Sequence, residues 1–383
     1  MPRFSRVSLL LGLLLLSGVV RADIRIGVIA SSTGPTAVVG IPQKNTVALL
    51  PSEIAGQKIE YIVLDDASDP TNAVTGVKKL LTEYQVDALI GPTTTPAALA
   101  ILDFIAEAKT PLLTTVGSSA VVLPMDDKKK WVFKTTQNDD LIAEAVLAHM
   151  KATGVKTLGF IGFNDPYGEN WFKVFGGLAE KAGIQLVASE RYGRTDQSVT
   201  GQVLKVMSVK PDAVFIAATG GPAVLPQAGL QDKGYKGRIY QTHGVATQDF
   251  IRLGGKAVEG TLMAGGPLLV ADDLAAANPV KAVAQGYIKA YEGKYGVGSI
   301  STFGANTWDA GLLLQKAIPE ALKKAKPGST EFRLALRDAL ERSKELVGAQ
   351  GIFNMTPQNH NGMDQRSRLM MTVKGGKWVL LKD

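Results

Sequence analysis

Ile24-Arg25-Ile26-Gly27-Val28-Ile29-Ala30, followed at once by Ser31-Ser32-Thr33-Gly34-Pro35, is the stretch that decides the fold. Its first seven residues alternate and then run apolar, as a buried strand does. The next five carry the Ser, Gly and Pro of a loop. The unit recurs: Ile59 to Leu64 precedes a helical stretch from Ala73 to Tyr84, Ala88 to Ile90 precedes Ala97 to Ala108, and Leu112 to Thr114 opens onto a loop of its own. Short apolar strands alternating with amphipathic helices predict an α/β fold with a parallel, doubly wound sheet.

After Trp131 to Thr135 a second series begins, with helices at Leu141 to Thr153, Trp171 to Ala182 and Gly201 to Val209 between strands at Thr157 to Gly162, Gln185 to Glu190 and Ala213 to Ala217. A helix near Pro222 to Lys233 and a strand near Arg238 to Gln241 extend it. From Asn278 the chain turns helical, at Pro279 to Tyr295, Ala305 to Lys324 and Thr330 to Arg342, and it ends in short extended segments at Gly351 to Met355, Arg366 to Thr372 and Lys377 to Leu381. A chain of 383 residues exceeds the size at which one core usually splits. Two lobes are expected, residues 23–136 with 268–347 and residues 137–267 with 348–383. A chain that returns to its first lobe joins the two by several crossovers, which make a hinge.

Upstream of the first strand, Arg3 and Arg6 precede an apolar run from Val7 to Val20, then Val20-Arg21-Ala22. This is the pattern of a secretory signal peptide over residues 1–22, too short for a bilayer span. Its removal takes three arginines and no acid, so the formal charge falls from +7 to +4. That mild balance, without a Lys/Arg block, does not support nucleic-acid binding. The chain has no cysteine, so the exported protein relies on its core rather than on disulfides and has no residue for an amino-terminal lipid. A freely diffusing periplasmic protein is expected.

Six short motifs in fixed order carry a resemblance: Ile26-Gly27-Val28 with Thr33-Gly34-Pro35, Asp65-Asp66 with Asp69-Pro70, Gly91-Pro92-Thr93-Thr94-Thr95-Pro96, Asp165-Pro166-Tyr167-Gly168, Pro211-Asp212-Ala213, and Phe353-Asn354 ahead of His360. Together they resemble the leucine/isoleucine/valine-binding family of type I periplasmic solute-binding proteins over essentially the whole mature chain. The resemblance implies two α/β lobes joined by three crossovers, closing on a ligand like a flytrap. It also implies an inner-membrane ABC permease with cytoplasmic ATPases as partners, and a monomer.

In Gly91 to Pro96 three hydroxyls follow a strand, with Thr95 expected as the helix cap and Pro96 at the first helical position. The helix start offers free amides and a partial positive charge to a carboxylate, and Thr93 and Thr94, which capping leaves unexplained, add donors. Gly117-Ser118-Ser119 follows the neighbouring strand and borders the same crevice. In the family, positions matching Thr93, Gly117 and Ser119 hold the ligand carboxylate, and Tyr167 matches an aromatic that closes over it. Thr219-Gly220 stands where relatives often offer a large aromatic, so glycine there leaves room. Val39 replaces a common tyrosine, and His243 stands where amino-acid-binding relatives carry a glutamate for the ligand ammonium. A buried ammonium without a counter-charge is heavily penalised, whereas an imidazole can donate to a keto, hydroxyl or carboxylate oxygen. The expected ligand is therefore a small carboxylic acid lacking an α-ammonium, of the benzoate or benzoylformate kind. An amino acid is the runner-up.

Other chemistry finds little footing. Asp65-Asp66 reads as a turn and cap rather than a metal site, and His149, His243 and His360 lack zinc-ligand spacing. Gly117-Ser118-Ser119-Ala120 is not a nucleophile elbow, and neither a phosphate-binding loop nor a dinucleotide fingerprint occurs. No enzyme activity, metal or cofactor is expected. A sensor ectodomain would need a membrane segment or an output domain, and neither is read before Asp383. Trp308 and Asp309 read as packing and capping residues of the first lobe.

Overall fold

Asp69-Pro70, Asp165-Pro166 and Asn278-Pro279 each open a helix in the computed structural model, which describes residues 24–381. Asp69 accepts from the amides of Thr71 (2.6 Å) and Asn72 (3.1 Å), Asp165 from those of Tyr167 (2.8 Å) and Gly168 (3.2 Å), and Asn278 from that of Val280 (3.0 Å). Each cap satisfies amides that a first turn leaves open, for about 1 kcal/mol, and proline follows where no amide is missed. The signal peptide expected over residues 1–22 lies outside the described residues.

The first lobe is a six-stranded sheet of β1 (Ile24–Ala30), β2 (Glu53–Ile54), β3 (Gln57–Asp65), β4 (Ala88–Ile90), β5 (Leu112–Thr114) and β6 (Val132–Lys134), in spatial order β2-β3-β1-β4-β5-β6. All neighbours run parallel except the β2–β3 pair. Between them come α1 (Ala37–Val47), α2 (Pro70–Thr82) and α3 (Thr95–Glu107). In β1, Ile24, Ile26 and Val28 pack in one core cluster and Ile29 in another, which is why a central parallel strand reads as a continuous apolar run. Burying each such side chain stabilises by about 1.5–3 kcal/mol.

The second lobe runs α4 (Asp139–Ala152), β7 (Thr157–Phe163), α5 (Pro166–Lys181), β8 (Gln185–Tyr192), α6 (Thr200–Ser208), β9 (Ala213–Ala217), α7 (Val224–Asp232), β10 (Arg238–Gln241), α8 (Gln248–Gly254) and β11 (Leu262–Gly265). The chain then returns to the first lobe through α9 (Pro279–Tyr295), α10 (Thr302–Leu322) and α11 (Thr330–Leu340). A two-stranded ribbon follows, β12 (Leu346–Val347) with β13 (Ile352–Phe353), before β14 (Leu369–Lys374) and β15 (Lys377–Leu380) cross back. The second sheet is ordered β15-β14-β11-β10-β9-β7-β8, with β14 and β15 antiparallel at one edge.

The return differs from expectation in one respect. The sequence pattern places residues 348–363 in the second lobe, but Phe353, Met355 and Met363 are buried with Ile24, Ile26 and α10 in the first lobe's core. The apolar side chains at these positions have a face to fill there, so the final crossover comes only at residues 364–368.

Three crossovers therefore meet, and polar side chains stitch them together. Gln137 donates to the carbonyls of Gln350 (2.8 Å) and Ser367 (3.0 Å), and Asn361 to those of Lys134 (3.1 Å) and Thr136 (2.8 Å). Asp309 on α10 accepts from the amides of Ala349 (2.6 Å) and Gln350 (3.0 Å), so it holds the turn of the β12–β13 ribbon rather than capping its own helix. Burial pushes its carboxyl up to about 7 against those two bonds.

Candidate ligand-binding cleft

In each sheet the strand order reverses once, between β1 and β4 in the first lobe and between β7 and β9 in the second. Loops at the carboxyl ends of such strands diverge and leave a crevice, the usual place for a ligand in an open α/β sheet. The two crevices face each other across a shared cavity lined from both lobes. The lobes touch around it. A side chain on Gly220, whose φ is +60°, would lie 2.8 Å from Val38 of α1, and one on Gly117 would lie 3.0 Å from Nε2 of His243. Glycine at these two positions lets the walls approach.

The first-lobe wall is a network of hydroxyls. Thr93 accepts from the Ser31 amide (2.8 Å) and donates to Oε1 of Gln43 (2.6 Å). Gln43 donates to Thr115 (2.9 Å), which donates to the Pro92 carbonyl (3.1 Å). The loop after β1 is held from its other side by Asp65, which accepts from Ser32 and Thr33, and by Asp66, which accepts from Ser31 Oγ (2.6 Å) and the Ser68 amide. Burial raises the Asp66 carboxyl above the usual carboxylate range. The aspartate pair is thus a clamp for the loop.

Capping falls on a different threonine from the one the sequence suggested. Thr94 is the cap of α3, accepting from the Ala97 amide (3.4 Å), with Thr95 first in the helix and Pro96 second. An extended residue must precede the first helical one, and Thr94 has that backbone. Thr93 and Thr94 are therefore engaged within the protein. Thr95 is left with a buried hydroxyl that has no partner, at the positive end of a helix of 13 residues.

The second-lobe wall uses longer side chains. Tyr167 is buried, its hydroxyl 2.8 Å from Thr242 Oγ1, which itself donates to the Ala218 carbonyl (2.9 Å). His243 is buried beside Trp171, with ring centroids 5.8 Å apart, and its Nδ1 has no partner. Burial, helped by the nearby Lys134 ammonium, pushes its pKa down to about 3, so the imidazole is neutral.

Of the residues singled out in the sequence, Val39, Thr93, Thr94, Thr95, Gly117, Tyr167, Thr219 and His243 line the cavity. Ser118, Ser119 and Gly220 do not. Ser118 caps the short turn that follows it, accepting from the Ala120 amide, and Ser119 is buried behind it. The space expected over Gly220 is taken by Val38. The cavity adds Thr36, Thr115, Val116, Thr136, Gly244, Phe303 and, most consequentially, Arg194. Arg194 donates to Asp165 (2.5 Å) and Thr219 (3.1 Å) and lies over the Phe163 ring at 4.3 Å.

A second residue without a sequence signal lies just behind the wall. Asp139, first in α4, is fully buried, accepts from Asn170 (2.5 Å) through Oδ2 and leaves Oδ1 unpartnered, 3.4 Å from where a Gly117 side chain would start. The expectation that the second lobe holds no carboxylate near the site is thus corrected. Burial raises Asp139 to about 7 and lowers the equally buried Lys134 to about 7, each opposing the other's shift. The Lys134 ammonium donates to the Gln137 carbonyl and Asn138 Oδ1, both at 2.8 Å.

Residues 23–377 match the family model for periplasmic binding proteins. The Leu/Ile/Val-binding protein BraC3 of Rhizobium johnstonii is 26% identical over 339 residues, 86% of each chain. Two crystal structures of extracellular ligand-binding receptors from Rhodopseudomonas palustris HaA2 are similar throughout. One is 49% identical with a TM-score of 0.92, covering 94% of this chain and all (100%) of the other. The second is 40% identical with a TM-score of 0.91, over the same shares. The match runs the length of both lobes, and the chain belongs to the periplasmic binding protein family.

Proposed function

We propose that this protein is the solute-binding component of an ABC importer, a non-enzymatic periplasmic carrier that closes on a small carboxylic acid without an α-ammonium, of the aromatic or α-keto kind. One observation carries the ligand class: the buried, unpartnered Thr95 hydroxyl at the start of α3, in a first-lobe wall with no charged side chain. A carboxylate there gains a hydroxyl donor and the helix's partial charge. A charge-assisted bond of this type contributes about 1.5–3 kcal/mol. Opposite it, neutral His243 offers a donor to an oxygen and no charge to an ammonium. Fold alone does not choose the solute, since one protein of this fold holds benzoate and another isoleucine, each 20% identical to this chain.

The free Oδ1 of Asp139 favours a second reading, an amino acid whose ammonium reaches that oxygen beneath Gly117. Isothermal titration of the purified protein separates the two. Benzoate or benzoylformate binding, with leucine and valine silent, is the expected outcome. Binding of leucine or valine that Asp139→Asn abolishes would replace the first reading by the second.

A further inference from the structure

Arg194 follows β8, at the outer edge of the second sheet, yet its guanidinium reaches over the loops at the strand-order reversal and enters the cleft. Three contacts fix it there. Nε donates to Oδ2 of Asp165, whose Oδ1 is itself held as the cap of α5, Nη1 donates to Thr219, and the flat face rests on Phe163. A cation stacked on an aromatic ring and paired along one edge keeps a single geometry, so little rotamer freedom is left to lose on binding. Among the described residues Nη2 donates to no protein atom. Only 17% of the side chain is accessible, and Arg194 lines the cleft.

The charges around the cavity then count out evenly. Asp165 answers Arg194, Asp139 answers Lys134, and His243 is uncharged. What remains is the positive end of α3, which suits one negative charge. A second would face Asp165 and Asp139 with no cation of its own.

Resting on the acid reading above, we infer that Arg194 is the specificity-determining residue of the second lobe, donating from Nη2 to a neutral oxygen of a ligand that carries one carboxylate. The class is thereby narrowed to monoacids bearing a hydroxyl or carbonyl oxygen away from the carboxylate itself, and dicarboxylates are disfavoured.

Titration calorimetry with benzoate, 4-hydroxybenzoate, benzoylformate and terephthalate tests this on the intact protein. One or both of the oxygen-bearing monoacids should bind about 10-fold or more tightly than benzoate, the worth of one hydrogen bond to a charged group, and terephthalate no more tightly than benzoate. Arg194→Gln should erase that advantage, bringing the oxygen-bearing monoacids and benzoate to within about 3-fold of one another whatever loss is common to all of them. Thr219→Val, which frees Nη1 and keeps the charge, should lose part of the advantage, and it serves if Arg194→Gln does not fold. Equal affinities in the unaltered protein, an advantage that survives Arg194→Gln, or terephthalate as the tightest ligand would overturn the inference. Binding of leucine or valine with none of the four acids would instead overturn the acid reading on which it rests.

Discussion

The two walls of the cleft are built on different plans. The first-lobe wall is made of short hydroxyl side chains and strand ends lying close together in sequence, with every bond except that of Thr95 closed inside the lobe. The second-lobe wall is made of long side chains gathered from four separate loops, and it is held by opposite charges that cancel, Asp165 with Arg194. One side is a fixed, uncharged cradle with a helix end behind it. The other is a brace that keeps its charges to itself. Selectivity for an acid can come from the first and selectivity among acids from the second.

The largest expected effect breaks the brace. Asp165→Ala removes both the cap of α5 and the partner of a guanidinium that is mostly out of water, and it should lower stability in urea by about 3 kcal/mol. A loss below about 1 kcal/mol, no more than a cap is worth, would mean that the second wall does not depend on its ion pair. On the first wall, two neighbouring threonines should separate cleanly. Thr95→Val should weaken benzoate by about 10-fold or more with stability unchanged, because only an unpartnered hydroxyl is lost. Thr94→Val should cost about 1 kcal/mol of stability through the cap. The reverse pattern would return the cap to Thr95 and move the acid elsewhere.

A pH-dependent effect concerns His243. Its folded pKa, about 3, lies below the ordinary value of 6.5. Between those values the unfolded chain takes up a proton that the folded one refuses, so stability should be full above pH 6.5 and fall as pH drops toward 3. The slope is at most about 1.4 kcal/mol per pH unit. Urea melts from pH 7 to pH 4.5 should be flatter in His243→Gln by up to that amount. Identical slopes would place the imidazole in contact with water.

The same contrast explains what could be read without a structure. The first wall was legible because Gly91 to Pro96 and Gly117 to Ser119 are local: a strand end, a turn and a helix start announce themselves within a few residues. Even so, local pattern misplaced the cap by one position and left out Gln43, 50 residues from the Thr93 hydroxyl it engages. On the second wall Tyr167 and His243 came from the family pattern. Arg194 had no local mark, since an arginine after an edge strand looks like any exposed cation until Phe163 and Asp165 are seen beneath it. Asp139 looked like an ordinary acid in the first turn of a helix, and only burial against Lys134 sets it apart. The lobes were legible from periodicity, while the end of the third crossover was not, because residues 348–363 carry no break in pattern and only packing assigns them.

The discontinuity of the first lobe bears on how the chain acquires its shape. Its β1 core is closed by α10 and by Phe353, some three hundred residues later in order of synthesis, whereas all of the second sheet but β14 and β15 comes from one unbroken segment. Pairings so distant in sequence are slow to form and cannot form at all until the far partner exists. A nascent chain of this design cannot close the core of its first lobe until nearly all of it has been made.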